Sequence, residues 1–209
     1  MIDKICDKLM KRIRAKMPEV DDERAEVIRY GIEIIIGEIP KMFILILVAG
    51  IMGVLKYTML AFFLILPYRY FSGGLHLKTH IGCIIGTLIF YIGIVYASQN
   101  INYSNMEIKY IFFTTVLILS MITITLYVPA DTENLPILKK KERKSRKIIS
   151  YILVLIMFGS ALFIKHNIIS NILIISVLFQ SITTTKIAYK IFKEKYGYLE
   201  YIKLKKDAI

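Results

Sequence analysis

Residues 81–97, IGCIIGTLIFYIGIVYA, contain no Asp, Glu, Lys or Arg. As an α-helix rising 1.5 Å per residue they reach roughly 26 Å. That is close to the ~30 Å hydrocarbon core of a bilayer. The stretch predicts a membrane-spanning helix, and it carries a cysteine, Cys83, near its start. Similar apolar runs lie on either side, at 42–55, 58–66, 108–128, 148–164 and 168–184. The whole chain is 56% hydrophobic, and the excess is Ile, Leu, Phe and Tyr gathered into these runs. Composition and pattern together predict an all-α integral membrane protein with about six transmembrane helices, some short or broken. Trp is absent, and the 14 Tyr residues can serve as the interfacial aromatics.

The run 58–66 is the weakest of the six. From Thr58 to Tyr68 a helix covers roughly 16 Å, about half of the hydrocarbon core. It must be extended by Arg69-Tyr70-Phe71, tilt little, or be re-entrant. A short helix leading into Gly73-Gly74 also points to a cavity inside the bundle, since irregular backbone at depth needs protein or water around it.

Outside the spans the chain is basic. Residues 1–17 read as an amphipathic interfacial helix, with Ile2, Ile5, Leu9 and Ile13 at helical spacing among Lys and Arg. Pro18 ends it, and Asp21 and Asp22 offer caps for a second helix, with a kink expected at Pro40. Glu33 and Glu38 read there as interfacial or bundle-facing charges rather than catalytic ones. Residues 1–30 lack the apolar core of a signal peptide, so none is predicted. Residues 130–147 form a basic loop and 186–209 a basic, aromatic tail. No repeat or linker divides the chain, which is expected to be a single membrane domain over 1–209. Its first four spans fall within 20–129 and its last two within 148–185.

The net charge of +12 would suggest nucleic acid in a soluble protein. Here the Lys and Arg residues sit between spans and at the termini, where they set topology and meet anionic lipid of the cytoplasmic leaflet. No nucleic-acid partner is expected. The positive-inside rule puts both termini and the 130–147 loop in the cytoplasm and the neutral 99–107 loop outside. Cys6, in the basic N-terminal segment, is then in a reducing compartment, and no structural disulfide is expected. The loop holding Arg69, His76 and Lys78 falls on the cytoplasmic side.

That loop carries the chemistry. Arg69-Tyr-Phe-Ser72-Gly73-Gly74-Leu-His76-Leu-Lys-Thr-His80-Ile-Gly-Cys83 offers two candidate bases and one candidate nucleophile. Cysteine attacks as a thiolate, which a neighbouring imidazole favours. On one straight helix, seven residues separate His76 from Cys83 by ~10.5 Å along the axis, too far for proton transfer at roughly 3–4 Å. A His76–Cys83 dyad therefore needs a non-helical path, which Gly73, Gly74 and Gly82 permit. His80, three residues before Cys83, meets it on an ordinary helix. The set His76-x3-His80-x2-Cys83 also invites a metal reading, but a straight helix cannot bring His76 and Cys83 to one ion. The bland alternative makes Cys83 a small apolar residue of the span and both histidines interfacial.

The pattern Arg69-x-x-Ser72-Gly73-Gly74-x-His76-x6-Cys83 resembles the signature of the AgrB family of Gram-positive quorum sensing. Val128-Pro-Ala-Asp131-Thr132-Glu133-Asn-x-Pro136, followed by a Lys-rich segment, is similar to that family too. So are the length, the span count and the basic N-terminus. The resemblance implies a multi-pass cell-membrane cysteine endopeptidase acting on an AgrD-like precursor peptide. Cys83 would be its nucleophile and His76 its base, with Arg69, Ser72, Gly73 and Gly74 in support. It implies an acyl-enzyme that an internal thiol or hydroxyl of the precursor resolves, releasing a thiolactone or lactone. No cofactor or metal is expected, because thioester exchange is near balance and needs only positioning. A homo-oligomer, a dimer, is the expected assembly. Asp131 or Glu133 could orient the base, or could be caps or loop charges. Ser72, Lys78 or backbone N–H groups are candidate oxyanion donors. A non-enzymatic peptide transporter or export component is the rival reading.

Overall fold

The computed structural model describes residues 2–17, 19–75, 77, 79–132 and 136–207, with His80 described by its backbone alone. Pro18, His76, Lys78 and Glu133 lie outside the described residues. Within these limits the chain is helical, and an isolated β-bridge joins Gly73 to Ala130. It divides into two compact units, residues 1–51 and 52–209.

The first unit is a helical hairpin of α1 (Ile2–Lys16) and α2 (Asp22–Ile51). Its contact buries Cys6 and Met10 of α1 and Ala25 of α2. Two exposed ion pairs cross it, Arg14–Asp22 at 2.7 Å and Arg29–Asp7 at 3.2 Å. Asp21 caps α2 as its residue type predicts, accepting from the Arg24 amide at 2.8 Å. The helix includes Pro40 and continues to Ile51. A proline removes one backbone donor and does not always end an otherwise apolar helix. Glu38 is exposed and pairs with the largely buried Lys41, which fits its reading as an interfacial charge. The Glu33 side chain lies outside the described residues.

The second unit holds α3 (Leu55–Ser72), α4 (His80–Asn100), α5 (Met106–Tyr127), α6 (Lys140–Phe163) and α7 (Asn167–Thr183), then α8 (Lys186–Ile191) and α9 (Gly197–Asp207). Among the described residues, α4, α5 and α6 are long and apolar enough to cross a membrane, and α7 is a shorter apolar helix. The weakest predicted span is extended at both ends: α3 takes in Leu55-Lys56-Tyr57 and Arg69-Tyr-Phe-Ser. Its 18 residues reach roughly 27 Å. The basic stretch read as a loop is helical from Lys140 onward. Lys, Arg and Glu are strong helix formers, and Glu142 pairs with Arg146 one turn on at 3.0 Å.

The short helix α7 is central. It packs against α3, α4, α5 and α6, and every residue from Ser170 to Val177 is buried. Large apolar side chains on the surrounding helices point outward instead, Ile85 and Ile89 on α4, Ile111 and Ile118 on α5, Ile152 and Leu155 on α6. Such a continuous apolar exterior belongs in lipid rather than water. Between helices in lipid, close packing and hydrogen bonds replace the hydrophobic effect, so interfaces favour small and weakly polar residues. The buried set follows this rule, with Thr58, Ala61, Ser98, Ser120, Ser150, Ala161, Ser170 and Ser176. Many of these hydroxyls are satisfied inside their own helix, as Ser120 is by the Val116 carbonyl at 2.7 Å. Ser170 of α7 instead reaches the Ala161 carbonyl of α6 at 2.6 Å.

At one end of the bundle, Lys109 of α5 is buried and donates to Asn167 of α7 at 3.1 Å. Nearby, Tyr103 donates to Asn171 at 3.0 Å. Burial pushes the Tyr103 phenol up to about 12. The opposite end gathers the C-termini of α3, α5 and α7 and the N-termini of α4 and α6. The candidate site lies there.

Candidate functional site

Arg69 sits in the last turn of α3, and its guanidinium lies 5.2 Å over the Phe90 ring of α4. Its Nη1 donates to Oε1 of Gln180 on α7 at 3.2 Å. One turn beyond, Ser72 ends α3 fully buried. The Ser72 hydroxyl accepts from Gln180 Nε2 at 2.9 Å and donates to the Gly73 carbonyl at 3.1 Å. The hydroxyl is thus engaged on both sides within the scaffold.

The chain leaves α3 through two glycines with φ of 70° and 138°, values that side chains disfavour. A methyl on Gly73 would collide with the Ala130 carbonyl, and one on Gly74 would come within 2.8 Å of the Thr183 hydroxyl. Both glycines are thus required by conformation and by space. Two 2.8 Å hydrogen bonds, Gly74 N–H to the Ala130 carbonyl and Ala130 N–H to the Ser72 carbonyl, bind the segment on one side. On the other, Gln180 Nε2 donates to the Gly73 carbonyl at 2.6 Å and the Leu75 amide donates to the Thr183 carbonyl at 3.1 Å.

Helix α4 starts at His80, capped by Thr79, whose hydroxyl accepts from the Gly82 amide at 3.1 Å. The Cys83 amide closes the first turn on the Thr79 carbonyl at 2.9 Å. Cys83 is half-buried, and no disulfide joins it to Cys6. From Gly73 to Thr79 the described residues are not helical, which removes the straight-helix objection to a His76–Cys83 pair. His76, Lys78 and the His80 side chain lie outside the description, so the distances from either base to Cys83 do too.

Asp131 lies apart from the Arg69–Gln180 contact, at the centre of a knot of its own. Its side chain is fully buried and pairs with Arg143 of α6 at 2.9 Å. The same carboxylate oxygen, Oδ2, accepts from the backbone amides of Ile137 and Tyr198 at 2.9 and 3.2 Å. Arg143 also lies 4.2 Å over the Tyr198 ring. Tyr189 of α8 donates to the Ala130 and Asp131 carbonyls, both at 3.2 Å. It stacks on Tyr196 with ring centroids 4.1 Å apart. Burial is the first cause that pushes both phenols well up, followed by neighbouring charge. This knot fixes residues 128–132, which in turn carry Ala130 onto Gly73. Asp131 Oδ2 is thereby engaged by Arg143 and two amides, while its buried Oδ1 has no hydrogen-bond partner among the described residues. Glu133, the other candidate, lies outside the described residues.

Gln180, Thr183, Arg143 and Tyr189 have no place in the motif reading. Gln180 left a signal: an amide inside the apolar run 168–184 needs partners when buried in lipid.

The sequence model of the family described as Accessory gene regulator B matches residues 2–184. The chain is 30% identical over 195 residues to an AgrB-like protein of Listeria monocytogenes serovar 1/2a, covering 93% of this chain and 91% of that one. A similar protein from Listeria welshimeri serovar 6b matches at the same identity and coverage. To the Accessory gene regulator protein B of Staphylococcus aureus (strain JH9) it is 27% identical over 164 residues, 78% of this chain and 83% of the other. No solved structure matches it. With nearly its whole length matched, this chain belongs to the accessory gene regulator B (AgrB) family.

Proposed function

We propose that this protein is a membrane-embedded cysteine endopeptidase of autoinducer processing, which cleaves an AgrD-like precursor and closes it into a ring. The observation that carries the reading is the pinned non-helical segment Gly73-Gly74-Leu75 after α3, which precedes a helix bearing Cys83 in its first turn. Family membership supports the role in autoinducer processing.

In this reading His76 takes the Cys83 proton, and the thiolate attacks a peptide carbonyl near the C-terminal region of the precursor. The C–N bond breaks, and the imidazolium returns the proton to the departing amine. The N-terminal part of the precursor stays as a thioester on Cys83. A thiol or hydroxyl of the same fragment then attacks, losing its proton to His76 and expelling the Cys83 thiolate. A thiolactone or lactone leaves. Backbone N–H groups of the first turn of α4 are candidate oxyanion donors. A site ringed by apolar helices limits water, which would otherwise hydrolyse the thioester.

Topology supports the same assignment. Six spans are reached by adding α2, α3 and α7 to the three long apolar helices, with both termini cytoplasmic under the positive-inside rule. The site end of the bundle then faces the cytoplasm, where a newly made precursor arrives. Exposed Lys139, Lys140, Lys141 and Lys144 suit anionic lipid or an acidic precursor tail. A dimer is the proposed assembly.

The test is precursor cleavage by protein reconstituted in vesicles. Cys83→Ala and His76→Ala should each abolish it. Loss in His80→Ala with retention in His76→Ala would transfer the base to His80. Retention in Cys83→Ala would leave the transporter reading.

A further inference from the structure

Gln180 is fully buried in α7, and its amide is in use at both ends. Oε1 accepts from Arg69, while Nε2 carries two donations, to the Ser72 hydroxyl and to the Gly73 carbonyl. An amide nitrogen has two hydrogens to give, so its donors are spent on two successive residues. One turn on, Thr183 accepts the Leu75 amide and donates its hydroxyl to the Gln180 carbonyl at 2.7 Å. The last turn of α7 therefore grips residues 72, 73 and 75, while Ala130 holds 72 and 74 from the other side. The next residue in the chain is 76.

We infer that Gln180 is a positioning residue for the base, fixing the backbone from which His76 is presented to Cys83; this rests on the proposed His76–Cys83 chemistry. Gln suits the position because it supplies an acceptor for Arg69 and donors for Ser72 and Gly73 at once. Glutamate would keep the Arg69 contact but set a carboxylate against the Gly73 carbonyl. Leucine would remove every bond of the Gln180 amide and leave the Gly73 carbonyl with the Ser72 hydroxyl, at 3.1 Å, in place of two donors.

The experiment uses the full chain in nanodiscs, comparing wild type, Gln180→Leu, Gln180→Glu and His76→Ala. Hydrogen exchange is followed at the Gly74 and Leu75 amides, and kcat and KM for an AgrD-like precursor are measured alongside. The expected result for both Gln180 variants is exchange at Gly74 and Leu75 at least tenfold faster, with α5 and α6 unchanged. Turnover should fall at least tenfold in kcat, with KM within twofold. Should Gln180→Leu not fold, Gln180→Glu carries the same comparison. Unchanged exchange at both amides overturns the inference, as does faster exchange with unchanged kcat. If His76→Ala keeps full turnover, the base assignment falls and the positioning role with it, whatever the amides do.

Discussion

Arg143 and Asp131 form a 2.9 Å ion pair in which the carboxylate is fully buried and the guanidinium largely so. The pair joins the start of α6 to the segment that pins Gly73. Removing one partner of such a pair strands the other charge, typically at a cost of several kcal/mol. Arg143→Met should therefore destabilise the protein by about 3 kcal/mol, at the lower end because two backbone amides still serve Asp131. Thermal unfolding in detergent would show it. A variant that melts with the wild type would mean that the pair carries no net weight.

Gly73 and Gly53 share nearly the same backbone angle, φ of 70° and 69°, but not the same surroundings. Nothing lies within reach of a methyl on Gly53, whereas one on Gly73 strikes the Ala130 carbonyl. Gly53→Ala should cost about 1 kcal/mol, the conformational penalty alone. Gly73→Ala adds the collision and should cost at least about 2 kcal/mol more through strain and lost bridge bonds. Equal melting temperatures for the two variants would contradict the close approach.

Tyr103, in the connection between α4 and α5, should show in the alkaline limb of stability. Its folded value is raised from 10 to about 12 by burial. The folded state favours the neutral phenol, so its contribution is complete below pH 10 and fades as the pH rises from 10 to about 12. Tyr103→Phe should lose that limb and, by leaving the buried Asn171 Oδ1 without its donor, lower stability near neutrality by about 1 kcal/mol. The check is phenolate absorbance followed alongside unfolding.

Ile118 tests the lipid-facing reading of α5, where it is 55% exposed near mid-helix. Ile118→Arg should cost about 3 kcal/mol of insertion, the usual value for a charge near the centre of a span. A glycosylation-based insertion assay reads the inserted fraction directly. An unchanged fraction would place this face away from lipid.

The spans and caps were legible because they depend on local chemistry. Hydropathy marked residues 81–97 and 108–128, and Asp21 at a helix start could hardly be read otherwise. The non-helical path before His80 was legible only through the resemblance, which chose His76 as the base and so needed one; the spacing alone suited His80 on an ordinary helix. Less legible was the reach of α3 and α6. Arg69 read as the end of an apolar run and Lys140 as part of a basic loop, but a helix has no reason to stop where its side chains turn polar. The clamp around Gly73 was not legible at all. Gln180 and Ser72 stand 108 positions apart, and only the central placement of α7 brings them together. Sequence periodicity carries no record of such pairings.

The central claim is a covalent one, and intact-mass spectrometry tests it most directly. The reconstituted protein is mixed with an AgrD-like precursor, quenched with acid and weighed. The account predicts a transient adduct equal to the N-terminal precursor fragment, mapped to Cys83, released by hydroxylamine and absent in Cys83→Ala. Precursor cleavage by Cys83→Ala at the wild-type rate, with no adduct in either protein, would contradict it.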